Sequence, residues 1–172
     1  AARTPALERM QRAAHGAWRA LRQRWPHAGS VTVLAGSGNN AGDGYLVAAL
    51  AQRAGWQVQV LAVVAPSALR ETAAEAYAEA LAAGVSVQPW HIDASLHGVL
   101  VDALLGTGLT CAVREPFAAA IGQINASNLP VLALDLPSGL CADTGAERRV
   151  AAQDELTATF IALKLGRQPG AG

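Results

Sequence analysis

The chain has 172 residues, 52% of them hydrophobic and 15% charged, and its 13 basic and 13 acidic side chains leave a formal net charge of zero. That balance supports one domain with a real core, excludes a disordered tail and argues against nucleic-acid binding, which needs a basic surface. No apolar run reaches the ~18 residues of a membrane span and no signal peptide is visible, so a soluble cytoplasmic domain is expected, with residues 1–172 forming a single unit whose ends read as truncated.

Residues 4–25 read as a helix, because Leu7, Met10, Ala14, Trp18 and Leu21 recur at helical spacing with arginines between them. "VTVLA" (31–35) is a first strand, followed by "GSGNNAGDG" (36–44) and a helix over 45–55. "WQVQVLAVV" (56–64) is a second strand. Ser67 is the expected N-cap of a long helix that Gly84 closes. Short strands follow at 85–88 and 98–104, then a helix at 114–126 and strands at 130–135 and 156–163. Strands alternating with helices predict an α/β fold, a three-layer sandwich whose mostly parallel, doubly wound sheet carries helices on both faces.

Three stretches at strand ends combine glycines with polar residues: 36–44, "DALLGTGL" (102–109) and "DLPSGLCADTG" (135–145). In the strand order 3-2-1-4-5-6, strands one, four and five are neighbours, and all three loops face one crevice. The first offers backbone N–H groups at a helix start, which favours an anion. It fits the loose dinucleotide pattern GxGxxG/A, but strand two ends "LAVVAPS", without the acid that holds a ribose hydroxyl. A hydride-transferring oxidoreductase is therefore disfavoured. Asn40, Asp102 and Ser138 supply an amide oxygen, a carboxylate and a hydroxyl, a set suited to a hard, weakly charged cation and too weak for a calcium cage. Asp135, at the end of a buried strand before Pro137, suits acid/base work, and Lys164 adds a positive charge to the same rim. The two cysteines, Cys111 and Cys141, lack metal-ligand spacing, and the four histidines form no ligand set.

Taken together, these stretches resemble the NAD(P)H-hydrate epimerase family, whose domain is often fused to an NAD(P)H-hydrate dehydratase. "GSGNNAGDG" is similar to that family's G-P-G-N-N-G-G-D-G, "DALLGTGL" to D-A-L-F-G-T-G, and "LDLPSGLCADTG" to D-I-P-S-G-L-x-A-D-T-G. "LTATFIALKLG" (156–166) is similar to its closing T-V-T-F-x-x-x-K-x-G, and the likeness runs from about Leu7 onward. The resemblance implies a Rossmann-like fold and an isomerase that interconverts the R and S epimers of hydrated NADH and NADPH. It places the family's ligand run on Asn39, Asn40, Ala41, Gly42 and Asp43. A second binding loop falls on Gly106, Thr107, Gly108, Leu109, Thr110, Cys111 and Ala112, and the binding and catalytic carboxylate on Asp135. Potassium ligands fall on Asn40, Asp102 and Ser138. A fused or separate dehydratase and a homodimeric state are the expected partners.

Four positions depart from the family pattern: Ser37, Ala41, Phe117 and Cys141. Ala41 adds a methyl where the backbone approaches the ligand. Phe117 stands where a ligand-contacting tyrosine is common, or else it packs in the core through the apolar run "PFAAAI". The alternative function is a non-catalytic nucleotide-binding or scaffold module on the same fold.

Overall fold

Thr4 opens the first helix of the computed structural model, which describes residues 4–104 and 115–134. Its side chain accepts the Leu7 N–H at 3.1 Å, Pro5 occupies the first turn, and α1 runs Pro5–Arg24 with arginines in its last turn. One face buries Leu7, Met10, Ala14, Ala17, Trp18 and Leu21, and Trp18 meets Trp56 edge-on at 5.0 Å. Strand β1 (Ser30–Ala35) follows, then α2 (Gly38–Arg53), β2 (Gln57–Ala62), a 3₁₀ turn (Pro66–Ala68) and α3 (Glu71–Ala82). Strands β3 (Ser86–Pro89) and β4 (Val99–Ala103), helix α4 (Phe117–Ser127) and β5 (Val131–Ala133) complete the described elements.

The strands lie in the order β3-β2-β1-β4-β5, every neighbouring pair parallel. The expected order holds for the first five strands, and the sixth (156–163) lies outside the described residues. Alternation along the central strands builds two cores. Val31, Val33, Val99, Val101 and Ala103 pack under α1, α2 and α3. Leu34, Leu100 and Leu104 pack with Ile121 and Ile124 of α4 on the other face. Helices cover both faces, as the sequence predicts.

Two elements begin elsewhere than expected. Helix α2 starts at Gly38, seven residues early, so most of the glycine-rich stretch is helical. Tertiary packing overrides the poor propensity of glycine: a Cβ on Gly42 would lie 2.8 Å from Met10 Sδ, and one on Gly44 2.6 Å from Ala103 Cβ. Helix α3 starts late. Ser67 sits in the 3₁₀ turn rather than at an N-cap, and Arg70 takes the cap position with extended backbone. Between them Leu69 is extended and buried in the first core, which interrupts the helix that residues 67–84 otherwise favour.

The amino edge of the sheet is closed by polar contacts. Thr32 Oγ1 donates to the His97 carbonyl at 2.8 Å and accepts from the His97 N–H and the Gln59 amide. Ser30 Oγ meets His97 Nδ1 at 2.5 Å. These groups sit at the opposite end of the strands from the glycine-rich loops and hold the β1–β4 register.

Candidate functional site

Because all five strands are parallel, their carboxyl ends share one edge, and β1, β4 and β5 are consecutive there. The register aligns Leu34 with Asp102 and Asp102 with Ala133. Beyond β1, the Gly36 N–H donates to the Ala103 carbonyl at 2.9 Å. A Cβ on Gly36 would fall 2.1 Å from the Leu104 carbonyl oxygen, so only glycine lets the first loop pass the second this closely. Beyond β4, Asp102 Oδ1 accepts the Leu104 N–H at 3.2 Å, a local turn that shapes the start of the second loop. Beyond β5, the Leu134 N–H donates to the Asp102 carbonyl at 3.1 Å, which carries the chain past β4 immediately before Asp135.

The first turns of α2 bring the polar residues in. Ser37 is the N-cap but makes no side-chain cap bond, and no acidic residue lies in the first turn. The N-terminal N–H groups of a 16-residue helix and its positive dipole end are therefore available to an anion. Asn39 and Asp43, four apart, share a face of α2. Both line a cavity of about 690 Å³ that α1 and Thr72 of α3 also wall.

Asn40, Asp43 and Asp102 are 6%, 2% and 1% exposed. Polar side chains this deeply buried must be satisfied by partners, and all three are held by contacts. Asn40 nevertheless keeps a buried Oδ1 whose acceptor capacity is unused. An amide oxygen of this kind, on the same edge as the Asp102 carboxylate, fits a hard monovalent cation. Among the described residues no group of three or more His, Cys, Asp or Glu forms a cluster suited to a metal.

Two of the departures from the family pattern pack into the cores. The Ala41 methyl is fully buried in the first core. Phe117, the first residue of α4, packs half-buried against the second core. Asp135, Ser138, Lys164 and the second binding loop, Gly106, Thr107, Gly108, Leu109, Thr110, Cys111 and Ala112, lie outside the described residues. Sequence reasoning missed the α1 wall of the cavity, formed by Ala6, Arg9, Arg12, Ala13, Gly16 and Arg19. The signal was present: arginines and small residues recur at helical spacing on the half of α1 that its apolar stripe leaves outside.

Residues 6–166 match the family described as YjeF-related protein N-terminus. The chain is 42% identical over 169 residues to the bifunctional NAD(P)H-hydrate repair enzyme Nnr of Escherichia coli, covering 95% of this chain and 32% of that protein. It is 36% identical over 165 residues to the NAD(P)H-hydrate epimerase of Limosilactobacillus fermentum, covering 94% of this chain and 78% of that one. The chain thus spans about a third of the length of the bifunctional curated relatives it matches. Among solved structures, the crystal structure of yeast ynu0 is similar, with a TM-score of 0.72 at 22% identity over 86% of this chain and 68% of the other. That likeness is one of fold. None of the described helices is long and apolar enough to cross a membrane.

Proposed function

The chain belongs to the YjeF-related protein N-terminus family, and on that premise we propose that it is an isomerase interconverting the R and S epimers of hydrated NADH and NADPH. The observation that carries this reading is the meeting of three strand ends. The uncapped N-terminus of α2, with buried Asn40 and Asp43, stands on the same edge as buried Asp102 and the strand that leads into Asp135. The names of the monofunctional relatives agree with it.

Hydrated NAD(P)H carries its hydroxyl on the ring carbon beside the ring nitrogen, a hemiaminal centre. Asp135 donates a proton to that hydroxyl and water leaves, while the nitrogen lone pair forms an iminium. Water then adds to the opposite face of the same carbon, and Asp135 takes the proton back. Ring opening and reclosure at the same centre gives the same products with the same group acting as acid and base. Lys164 supplies positive charge at the rim. The N–H groups at the start of α2 orient phosphate oxygens, with Asn39 and Asp43 lining the cavity.

Asn40, Asp102 and Ser138 are the residues that would hold a potassium ion. When bound, it supplies a fixed positive charge that ties the three loops together and involves no redox change. A dehydratase, fused or separate, fits as the partner that consumes one epimer, since several relatives are bifunctional. A homodimer in the cytoplasm completes the proposal.

Exchange between the separated epimers of hydrated NADPH, followed by chiral chromatography or NMR, tests it. Conversion of a single epimer to the mixture faster than in buffer supports the reading. Nucleotide binding without exchange leaves the non-catalytic module instead.

A further inference from the structure

Five arginines and one glutamate lie in α1, so this helix is strongly basic in a chain with no net charge. The arginines divide into two groups. Arg22 stacks over the Trp18 ring at 5.6 Å and Arg24 over Trp25 at 5.2 Å, at the end of the helix nearest the amino edge of the sheet. Arg9, Arg12 and Arg19 instead line the cavity of about 690 Å³ whose wall also holds Asn39 and Asp43. Between them the helix presents Met10, Ala13 and Gly16, so an apolar floor lies between the guanidinium groups.

We propose that Arg9, Arg12 and Arg19 form a phosphate-binding wall for the dinucleotide, taking its pyrophosphate and, in the NADP form, its ribose 2′-phosphate. This rests on the function proposed above and extends it from the reacting ring to the remote half of the substrate. Four features carry it. The volume lies in the range typical of small-molecule sites, roughly 300–1,000 Å³. Arg12 and Arg19, seven residues apart, share one line along the helix, and Arg9 lies one turn before Arg12. The ten residue steps from Arg9 to Arg19 rise about 15 Å, long enough to follow an extended ligand away from Asn39 and Asp43. Arginine is the side chain best matched to phosphate, with a planar fork that donates two parallel hydrogen bonds.

A dinucleotide laid along this wall has its pyrophosphate between the first turn of α2 and the arginines of α1, with its adenine half running along α1 away from Asn39. The NADP form brings more negative charge than the NAD form, so the wall favours it. Thr72, on the α3 side of the same cavity, adds a hydroxyl that can donate or accept.

Dissociation constants for NADP and NAD, measured by calorimetry at several salt concentrations, test the wall. Arg9→Gln, Arg12→Gln and Arg19→Gln each weaken NADP binding by about 3- to 10-fold, the range for a charge-assisted hydrogen bond at a partly open site. The triple variant loses most of the salt dependence and most of the preference for NADP over NAD. Arg22→Gln, outside the cavity, is the control and leaves both constants as in the parent. Parental affinity in the triple variant overturns the proposal, and so does a loss matched by Arg22→Gln, which reveals only the general charge of α1. A changed oligomeric state in the wall variants with unaltered NADP affinity also overturns it, because the groove is then a docking face. Binding is read without turnover. Arginine-dependent NADP binding without epimer exchange defeats the proposed function and keeps the wall, whereas exchange with an unchanged KM in the triple variant does the reverse.

Discussion

Single side chains separate the chemistry of the site from the stability of the frame. Asp135→Asn keeps the shape of the carboxylate and removes its titrating group, so epimer exchange is expected to fall by about 10²- to 10⁴-fold with an unchanged melting temperature. Parental exchange in that variant removes Asp135 from its assigned role. For the cation, replacing potassium by tetramethylammonium is expected to lower the melting temperature of the parent, and Asp102→Asn to abolish that difference. Equal melting in both salts for the parent rules out the potassium site. Tyr45 concerns the frame alone. It is fully buried, its hydroxyl has no hydrogen-bond partner, and its ring meets Tyr77 edge-on at 5.3 Å. Burial, and secondarily the neighbouring Tyr77, push its phenol up to about 12 from 10.0. The unfolded chain releases this proton near pH 10 and the folded chain keeps it until about pH 12. The folded state therefore holds more protons in that window, and stability drops as pH rises through it, by about 1.4 kcal/mol per pH unit from this group. Tyr45→Phe is expected to remove that alkaline loss and to raise stability at neutral pH by about 1 kcal/mol, since a buried hydroxyl without a partner is deleted. Denaturant melts of both proteins at pH 8 and pH 11 check it, and identical pH dependence contradicts it.

At the scale of elements, α2 shows why a glycine-rich stretch can be more than a turn. Gly44 brings the helix so near Ala103 that an added Cβ would lie 2.6 Å from its Cβ, and Gly42 brings it against Ala73 and the flexible end of Met10. Gly44→Ala is expected to destabilise the protein by about 1–3 kcal/mol through overpacking. Gly122→Ala in α4, where a Cβ meets nothing within 4 Å, is expected to stabilise it by about 1 kcal/mol, the helix-propensity gain. Thermal melts of the two variants shift in opposite directions if this assignment is correct. The same elements show what was legible beforehand. Strand identity, parallel pairing and the order of the first five strands follow from apolar runs separated by helical periods. The start of α2 does not follow, because propensity counts glycine against a helix and the contacts that favour it come from α1, α3 and β4. The start of α3 was hidden for a related reason: Leu69 belongs to the core, and its burial cannot be read from a local run that also suits a helix. Asn40, Asp43 and Asp102 were legible as polar residues at strand ends. The orientation of Ala41 into the core was not, since it depends on where α2 begins.

For the molecule as a whole, a parallel sheet with five carboxyl ends on one edge sets the geometry of any ligand site, and β1, β4 and β5 are consecutive along it. Charge is divided in the same way. The basic helix α1 flanks the edge where α2 points its N-terminus, so a dianionic or tetra-anionic nucleotide meets positive potential from two elements at once. Family membership and the buried polar residues at the sheet edge agree with the epimerase proposed above, and the fold is shared with yeast ynu0. The most direct test is the exchange of a single, chromatographically isolated epimer of hydrated NADPH, followed by proton NMR with the 172-residue chain in potassium buffer. The account requires the resonances of the second epimer to grow well above the rate in protein-free buffer and to reach the same equilibrium ratio. A rate equal to that of buffer, in a sample shown to be folded and to bind NADP, contradicts the epimerase assignment.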